Sequence, residues 1–599
     1  NVFIRLVNME HPQVNKSIRI LFGRIYNGQI DNRIIPFFTN TYLFCLYKDT
    51  SDPTKLRPIG VPTALRRIIT NHLARTFRRR FASHLLPYNY AVGVDNGMDF
   101  VIKASQLAVE KYITKPQQSG RAPSRCYISL DLKNMFNEIS RDKILQVIQA
   151  KFPEMLPLVS LLYSDPGTVF FRMADGTWNT QSMAEGVNQG CPLSSILAAL
   201  VLHEVLAPID AKLKIRAANC RQHQNTGDDD AGGETHPMAY IDDAGAAVPH
   251  EDVEFFFDEF TKLGPQFGCH LNTVKTRIMT STSGSSALPA IEHEYGTLIA
   301  DSLRRAIVKY SVSEVPLSRA QAQLPSIESH YGLEPTAPIR QAILSASVSA
   351  GVSTRATNHQ IANTPISIPM EIVTGIRLLG QPLGSLSFAR SFFAQRLQEN
   401  MADATKLLET VSDHQTALRL FAQCTLHKLP HLLGSEVLYC HTPTADEQWD
   451  DWTGPLATGI NSMVSSFLSK LTQRQSIDTD SLLIAYVTIA QGGLGLMDAS
   501  TRAIPDLVLT MSQAVRHAEQ GFFCKAKEPA YRLPPSLTRL FNPTTNPQST
   551  FLKTFYCLLG QVALPGTNSQ CSNPIEYFLK LESLKSARDV YARQQVPTG

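Results

Sequence analysis

The segment HPMAYIDDAGAAV at residues 236–248 constrains this chain more than any other. It sets Asp242 and Asp243 side by side after Tyr240, with small and apolar residues on both flanks. Adjacent carboxylates repel, and a buried strand end gains no stability from them. Between two hydrophobic stretches, such a pair belongs at a tight turn where a sheet ends.

A second apolar run, CYISL, leads directly into Asp131 and is followed by LKNMFNEISRDKILQVIQ. This reads as a strand with an aspartate at its end, then a turn and a helix. Between the two acidic stretches, GVNQGCPLSSILAALVLHEVLAPI reads as a glycine-bearing loop at Gln189–Gly190 that feeds an apolar helix. Taken singly these signals are weak: an Asp-Asp pair is usually a turn or a cap, and Asp131 alone reads as a helix N-cap. Together, two carboxylate-bearing strand ends in one sheet make a compact oxygen-ligand site. Mg²⁺ prefers such ligands together with water and phosphate oxygens. Two such ions about 4 Å apart activate an attacking hydroxyl and stabilise a leaving pyrophosphate. Bound cations also remove the like-charge repulsion.

The rest of the chain supplies context. Residues 64–86, ALRRIITNHLARTFRRRFASHLL, read as one basic helix ending near Pro87, with Leu65, Ile68, Ile69, Leu73 and Phe77 inward and the arginines outward. VFFRMADGTWNT reads as a hairpin turning at Asp175-Gly176, and EDVEFFFDEFTKLGPQFG as an amphipathic helix. Residues 221–236 look like an exposed loop, and 281–370 turn Ser/Ala/Pro/Thr-rich, as expected of an insertion that is part helical and part flexible. No internal repeat is visible.

At 599 residues, two to four domains or subdomains are expected, and 43% hydrophobic against 18% charged residues leaves a sizeable core. Net charge is +4, but residues 1–125 hold 19 Lys/Arg against 7 Asp/Glu, so the excess lies at the front. That asymmetry suits either a polyanion partner or a solvated basic face. The ten cysteines show no CxxC pair and read as reduced, buried thiols of an intracellular protein. The longest apolar run, SSILAALVLHEVLAPI, is interrupted by His203 and Glu204 and reads as a core helix, not a membrane span. The chain begins at Asn1 without a signal-peptide pattern, as a piece of a longer protein would.

The order of these motifs resembles the reverse transcriptase palm, and more narrowly the non-LTR (LINE-type) retrotransposon reverse transcriptases. RPIGVPTALRRIIT resembles that family's fingers motif, SLDLKNMFNEI its first catalytic motif, GVNQGCPLSSIL its GxxQGxxLSPxL motif and YIDD its YxDD box. GCHLNTVKTRIM resembles the motif that follows, GIRLLGQPLG the primer-grip hairpin, and LLGSEVLYC and QGGLGLMD the connector downstream. The likeness runs from about residue 40 to 500, interrupted at 281–370.

The fold class implied is α+β, a right-hand polymerase. Fingers and the N-terminal region would occupy 1–125, a palm with an antiparallel sheet 126–280, and an insertion 281–370. The palm's primer-grip hairpin would follow at 371–384, a helical thumb and connector at 385–500, and a C-terminal helical extension at 501–599. Asp131, Asp242 and Asp243 would be the catalytic metal ligands, for two Mg²⁺ ions with Mn²⁺ able to substitute; a plain turn residue stays open for Asp243. Phe136 stands where the family has its steric gate against a ribose 2′-hydroxyl, the alternative being an ordinary core aromatic. Gln189 and Gly190 would let the chain pass close to the template–nucleotide pair. Ser195 replaces the family's proline there.

Arg57, with Lys48 or Lys55 near it, would hold the triphosphate, and Lys275 would serve the pyrophosphate as a general acid; for the three lysines a solvated surface role stays open. Arg75, Arg78, Arg79 and Arg80 would contact template backbone, and Tyr240 would pack under the turn near the primer end. The partners implied are an RNA template, a DNA primer and dNTPs, without a membrane, in an intracellular and nuclear setting where a DNA target lies. Oligomeric state, template and target are not legible.

Two rival classes remain. An RNA-dependent RNA polymerase shares the layout but carries a second aspartate where Phe136 stands, and a domesticated, non-catalytic nucleic-acid-binding protein would have lost its aspartates. No nuclease or CCHC knuckle is apparent. The Cys424, His427, His431, Cys440 and His441 group has zinc-like spacing but falls in the helical region, where packing is the favoured role.

Overall fold

The computed structural model describes residues 11–49, 52–223, 237–283, 287–312, 317–333, 340–341, 370–440, 454–520 and 533–561. Residues 224–236 of the loop expected at 221–236, and all of 342–369, therefore lie outside the described residues; 221–223 instead end the helix Ser194–His223. The chain divides into two compact units, the first made of residues 1–95, 128–277 and 298–371 and the second of 96–127, 278–297 and 372–599.

The strands of the first unit are β1 (Thr41–Asp49), β2 (Asp52–Pro62), β3 (Arg125–Leu130, shared at its start with the second unit), β4 (Gly167–Arg172), β5 (Trp178–Met183), β6 (Met238–Tyr240) and β7 (Asp243–Pro249). One sheet has the order β2-β1-β4-β5. Its β4–β5 hairpin is the one read from the sequence, with Phe171 opposite Asn179. Gly176 takes φ +86° at the turn, and the Asp175 carboxylate accepts from the Thr177 amide at 2.9 Å. In a second sheet β6, β7 and β3 are successive neighbours. The mixed α+β class expected from the sequence is observed.

The core of this unit is built largely by the apolar first half of one long helix and the apolar face of another. Ser194–His223 buries Leu197, Leu200, Val201, Val205, Leu206 and Ile209. Val253–Leu263 buries Val253, Phe256, Phe257 and Phe260, each contributing roughly 2–3 kcal/mol by area. The helix Thr297–Val312 lies against it through Arg305–Glu254 at 3.2 Å and Lys309–Asp258 at 2.6 Å. Part of the 281–370 region is thus helical and packed.

Residues 64–86 correct the single-helix expectation. They form two helices, Ala64–Thr76 and Arg78–Leu85, separated at Phe77, whose φ and ψ of −92° and 3° leave the helical region. Nor do all the arginines face out. Arg66 is 1% exposed; its guanidinium donates to the Phe38 carbonyl at 2.7 Å and the Tyr163 hydroxyl at 2.9 Å. Those partners offset the cost of burying a cation that periodicity alone would leave in water.

The second unit is mainly helical. Gly97–Val109 is buried along nearly its whole length. Much later in the sequence come Leu386–Thr410, Pro430–Cys440, Pro455–Thr472 and Ala499–Gln520. Phe421 and Phe467 stack at 3.8 Å, and a Cβ at Gly434 would stand 3.0 Å from the Leu507 amide nitrogen, so the absent side chain lets two helices approach closely. The strands here are β8 (Arg277–Met279, its first residue in the other unit), β9 (Ile372–Val373), β10 (Gly375–Leu378) and β11 (Gln381–Gly384). The β10–β11 hairpin turns through Leu379 and Gly380, both at positive φ, a two-residue turn matched to strand twist. Of the described cysteines Cys126, Cys191 and Cys269 are buried as expected, whereas Cys45 and Cys424 are exposed. Among the described residues no helix is long and apolar enough to cross a membrane.

Candidate active site

β3 is buried from Arg125 to Leu130 except for a half-buried Ser129, and the chain emerges at Asp131, whose side chain is 39% exposed. A turn at 272–276 holds it. The Asn272 side-chain amide donates to Asp131 Oδ1 at 2.8 Å, the Asn272 backbone amide donates to the Asp131 carbonyl at 2.8 Å, and the Asp131 amide donates to Thr276 Oγ1 at 3.2 Å. Lys275 Nζ stands 4.0 Å from Oδ1. That pair is solvent-exposed and contributes at most about 1 kcal/mol; its value is orientation. Asp131 is no helix cap: the following helices are capped by Asn134 and by Ser140, which accepts from the Lys143 amide.

The paired aspartates sit at a two-residue turn. Tyr240 pairs with Asp243, leaving Ile241 and Asp242 at the tip. Ile241 has φ +62°, a region that a β-branched residue enters only at a cost of about 1–3 kcal/mol. Asn89, 1% exposed, holds this conformation. Its Nδ2 donates to the Ile241 carbonyl at 3.0 Å, while its Oδ1 accepts from the Ile241 amide at 3.4 Å and the Ala91 amide at 3.1 Å. The backbone beside it pairs with β6, Tyr90 donating to the Ala239 carbonyl and Ala239 to the Tyr88 carbonyl.

Asp131, Asp242 and Asp243 thus lie at or beside the ends of neighbouring strands β3 and β7. They present carboxylates with no imidazole or thiolate among them, and Asp131 Oδ2 makes no hydrogen bond among the described residues. This donor set fits a hard divalent cation. The three do not bring ligand atoms within 4.8 Å of one another; among the described residues that closeness occurs only at His84, His203 and Glu204.

The other expected residues are placed as follows. Phe136 is half-buried on the short helix Met135–Glu138, while its neighbour Met135 fills the core at 2% exposure. Gln189 is half-buried, and Gly190 donates to the Gly60 carbonyl at 3.0 Å. A Cβ at 190 would stand 2.4 Å from that oxygen, so the close approach that demands glycine is to β2 of the same unit. Arg57 is exposed on β2 opposite Leu46, and exposed Tyr42, Phe44 and Leu46 alternate along β1 beside it. Lys55 lies in β2 and Lys48 in β1; their side chains are outside the described residues. Tyr240 is half-buried. Arg75 and Arg79 are exposed, whereas Arg78 pairs with Asp95, and Arg80 pairs with Glu154 and lies over Phe77 and Phe152. Of the zinc-like group, His441 and the Cys440 side chain lie outside the described residues; Cys424 is exposed, and Cys424, His427 and His431 form no metal-sized cluster among the described residues.

Sequence reasoning missed Asn89, Asn272 and Thr276. The last two flank Lys275 in LNTVKT and could have been drawn from that motif. Asn89 acts on a residue 152 positions away and has no local signature.

A hairpin with Asp242 at its tip and Asp243 opening β7, next to a buried strand that runs into Asp131, is the arrangement expected of a palm. Residues 47–311, which include every expected site residue, match the family model described as reverse transcriptase (RNA-dependent DNA polymerase). This part of the chain is therefore similar to reverse transcriptase domains. No curated protein matches it by sequence. Similar solved structures include apo telomerase from Candida tropicalis truncated from its C-terminal domain, at 16% identity and TM-score 0.29, covering 40% of this chain and 50% of that one. Telomerase from Candida albicans in complex with a TWJ fragment of telomeric RNA aligns at 12% identity and TM-score 0.31, covering 76% and 69% respectively. The chain spans half the length of the first of these structures.

Proposed function

We propose that this chain is an RNA-directed DNA polymerase that extends a primer 3′-hydroxyl and serves the copying of a non-LTR (LINE-type) retrotransposon in the nucleus. The observation that carries the polymerase reading is Asp131 at the end of β3 next to the Asp242–Asp243 hairpin, inside the matched domain. The element type rests on the motif order described above.

In this reading the primer 3′-oxygen attacks the α-phosphorus of a dNTP, the new P–O bond forms, and the bond to the bridging oxygen breaks to release pyrophosphate. Asp131, Asp242 and Asp243 would hold Mg²⁺, which supplies charge stabilisation for the attacking and leaving oxygens. The chain's own contribution is positioning. Asn272 and Thr276 fix the Asp131 backbone and carboxylate, and Asn89 fixes the tip of the hairpin. Phe136, half-buried and not spent on the core, is available to exclude a ribose 2′-hydroxyl. Arg57 would meet the triphosphate, and Lys275, 4.0 Å from Asp131, would donate a proton toward the leaving pyrophosphate. Arg75 and Arg79 are the members of the basic cluster left for template phosphate.

Primer extension on an RNA template with separate dNTP and rNTP pools tests the reading. Extension with dNTPs that disappears in Asp242→Asn while primer–template binding persists is the expected result. Extension with rNTPs would instead assign an RNA polymerase, and binding without extension in Mg²⁺ or Mn²⁺ would leave only a nucleic-acid-binding protein.

A further inference from the structure

Away from the aspartates, the described residues of the first unit hold one group of three potential metal ligands that the polymerase chemistry does not use. His84, at the end of helix Arg78–Leu85, faces His203 and Glu204 on helix Ser194–His223. One ligand atom from each lies within 4.8 Å of the other two. We propose that His84, His203 and Glu204 form a binding site for a single borderline divalent cation, Zn²⁺ in the first instance, that clamps these two helices together.

Three observations carry this. First, His84 Nε2 and Glu204 Oε1 are 3.4 Å apart. Two vertices of a tetrahedron with metal–ligand bonds of about 2.1 Å are separated by about 3.4 Å. Second, His84 Nε2 is buried with the Glu204 carboxylate as its polar neighbour, poorly aligned for a hydrogen bond, so a cation between them would satisfy both groups. Third, His203 Nδ1 lies 3.3 Å from the Leu85 carbonyl. A proton donated from Nδ1 to that oxygen leaves the ring's other nitrogen with its lone pair, the outer-shell arrangement that orients metal-bound imidazoles. The site is walled by Phe152, edge-on to His84 at 5.8 Å, and by Tyr88, edge-on to His203 at 5.5 Å.

Two imidazoles and one carboxylate favour Zn²⁺ over Mg²⁺, which separates this site chemically from the all-carboxylate centre. Glu204 keeps 30% of its side chain exposed, so a water can complete the coordination. The clamp would hold the helix bearing Arg78, Arg79 and Arg80 against the one that follows the Gln189–Gly190 loop. The proposal stands whether or not the chain polymerises DNA.

The test strips the full chain with chelator and titrates it with Co²⁺, whose visible absorption reports low-coordinate nitrogen and oxygen ligation. One equivalent should bind with a visible band, be displaced by Zn²⁺ and not by Mg²⁺, and give two paramagnetically shifted imidazole signals. His203→Gln and Glu204→Gln should each weaken binding by more than about tenfold, while Asp131→Asn leaves it unchanged. Should a variant fail to fold, the imidazole count on the wild-type chain decides. Absence of a visible band in the wild type, fewer than two shifted imidazoles, or full binding by folded His203→Gln would overturn the proposal.

Discussion

Asn89→Ala is the most informative single substitution at the candidate active site. The side chain is buried and makes three hydrogen bonds, at 3.0, 3.1 and 3.4 Å, two of them to the backbone of Ile241. Removing them forfeits roughly 1 kcal/mol for each of the two shorter bonds and leaves partly buried backbone groups unpaired, so a total of about 2–4 kcal/mol is expected. The local consequence matters more. Ile241 at φ +62° stores about 1–3 kcal/mol of strain that the asparagine opposes. Released from it, the turn relaxes and carries Asp242 and Asp243 with it. If about 2.7 kcal/mol of positioning is lost at the transition state, the rate falls about a hundredfold. Single-turnover nucleotide addition, read beside primer–template affinity, checks this: the rate should drop about a hundredfold with affinity within about twofold. Ile241→Gly in the same chain should restore part of the rate, because glycine adopts positive φ at little cost. A folded Asn89→Ala chain that adds nucleotides at the wild-type rate would refute the argument and reduce Asn89 to a packing residue.

Further outcomes follow from the same geometry. Phe136→Ala should raise ribonucleotide use relative to deoxynucleotide use by about 10–100-fold, measured as the ratio of kcat/KM values, with little change in melting temperature because the ring is not core. Gly190→Ala should lower stability by roughly 2–3 kcal/mol, since its Cβ would meet the Gly60 carbonyl at 2.4 Å; denaturant midpoints show this. Burial pushes the Glu436 carboxyl up to about 7 even though it accepts from the Leu456 and Ala457 amides. Its folded state therefore holds a proton that the unfolded state releases near the ordinary 4.5, so its contribution is full below that pH and is lost as pH rises through 7, by about 3 kcal/mol. Melting curves at pH 5 and 8 should differ less in Glu436→Gln than in the wild type; Asp506, pushed up to about 6 by burial, should leave a residual slope.

Local pattern carried the reading where contacts are local. The apolar run into Asp131, the Asp175-Gly176 hairpin and the tight turn at Ile241–Asp242 are each set by a few consecutive residues, and the structure shows all three. Long-range partners defeated it. Periodicity turned Arg66 outward because nothing near it in sequence reveals the Phe38 carbonyl and Tyr163 hydroxyl that receive it. The break at Phe77 is invisible to a pattern whose apolar spacing continues through it. Arg78 and Arg80 read as a free basic cluster because Asp95 and Glu154 stand 17 and 74 residues away. His84 and His203 are 119 positions apart and share no motif.

The bond between Gly190 and Gly60 has a mechanical consequence. With neither residue carrying a Cβ, loop and strand meet backbone to backbone and have no side chain to slide on. Arg57 lies three residues from one end of this joint and Gln189 one residue from the other. The residue proposed to meet the triphosphate and the loop proposed to pass close to the template–nucleotide pair are therefore tied at one joint. In the proposed reading, a shift of β2 that moved Arg57 would also load the loop that carries Gln189 through this bond.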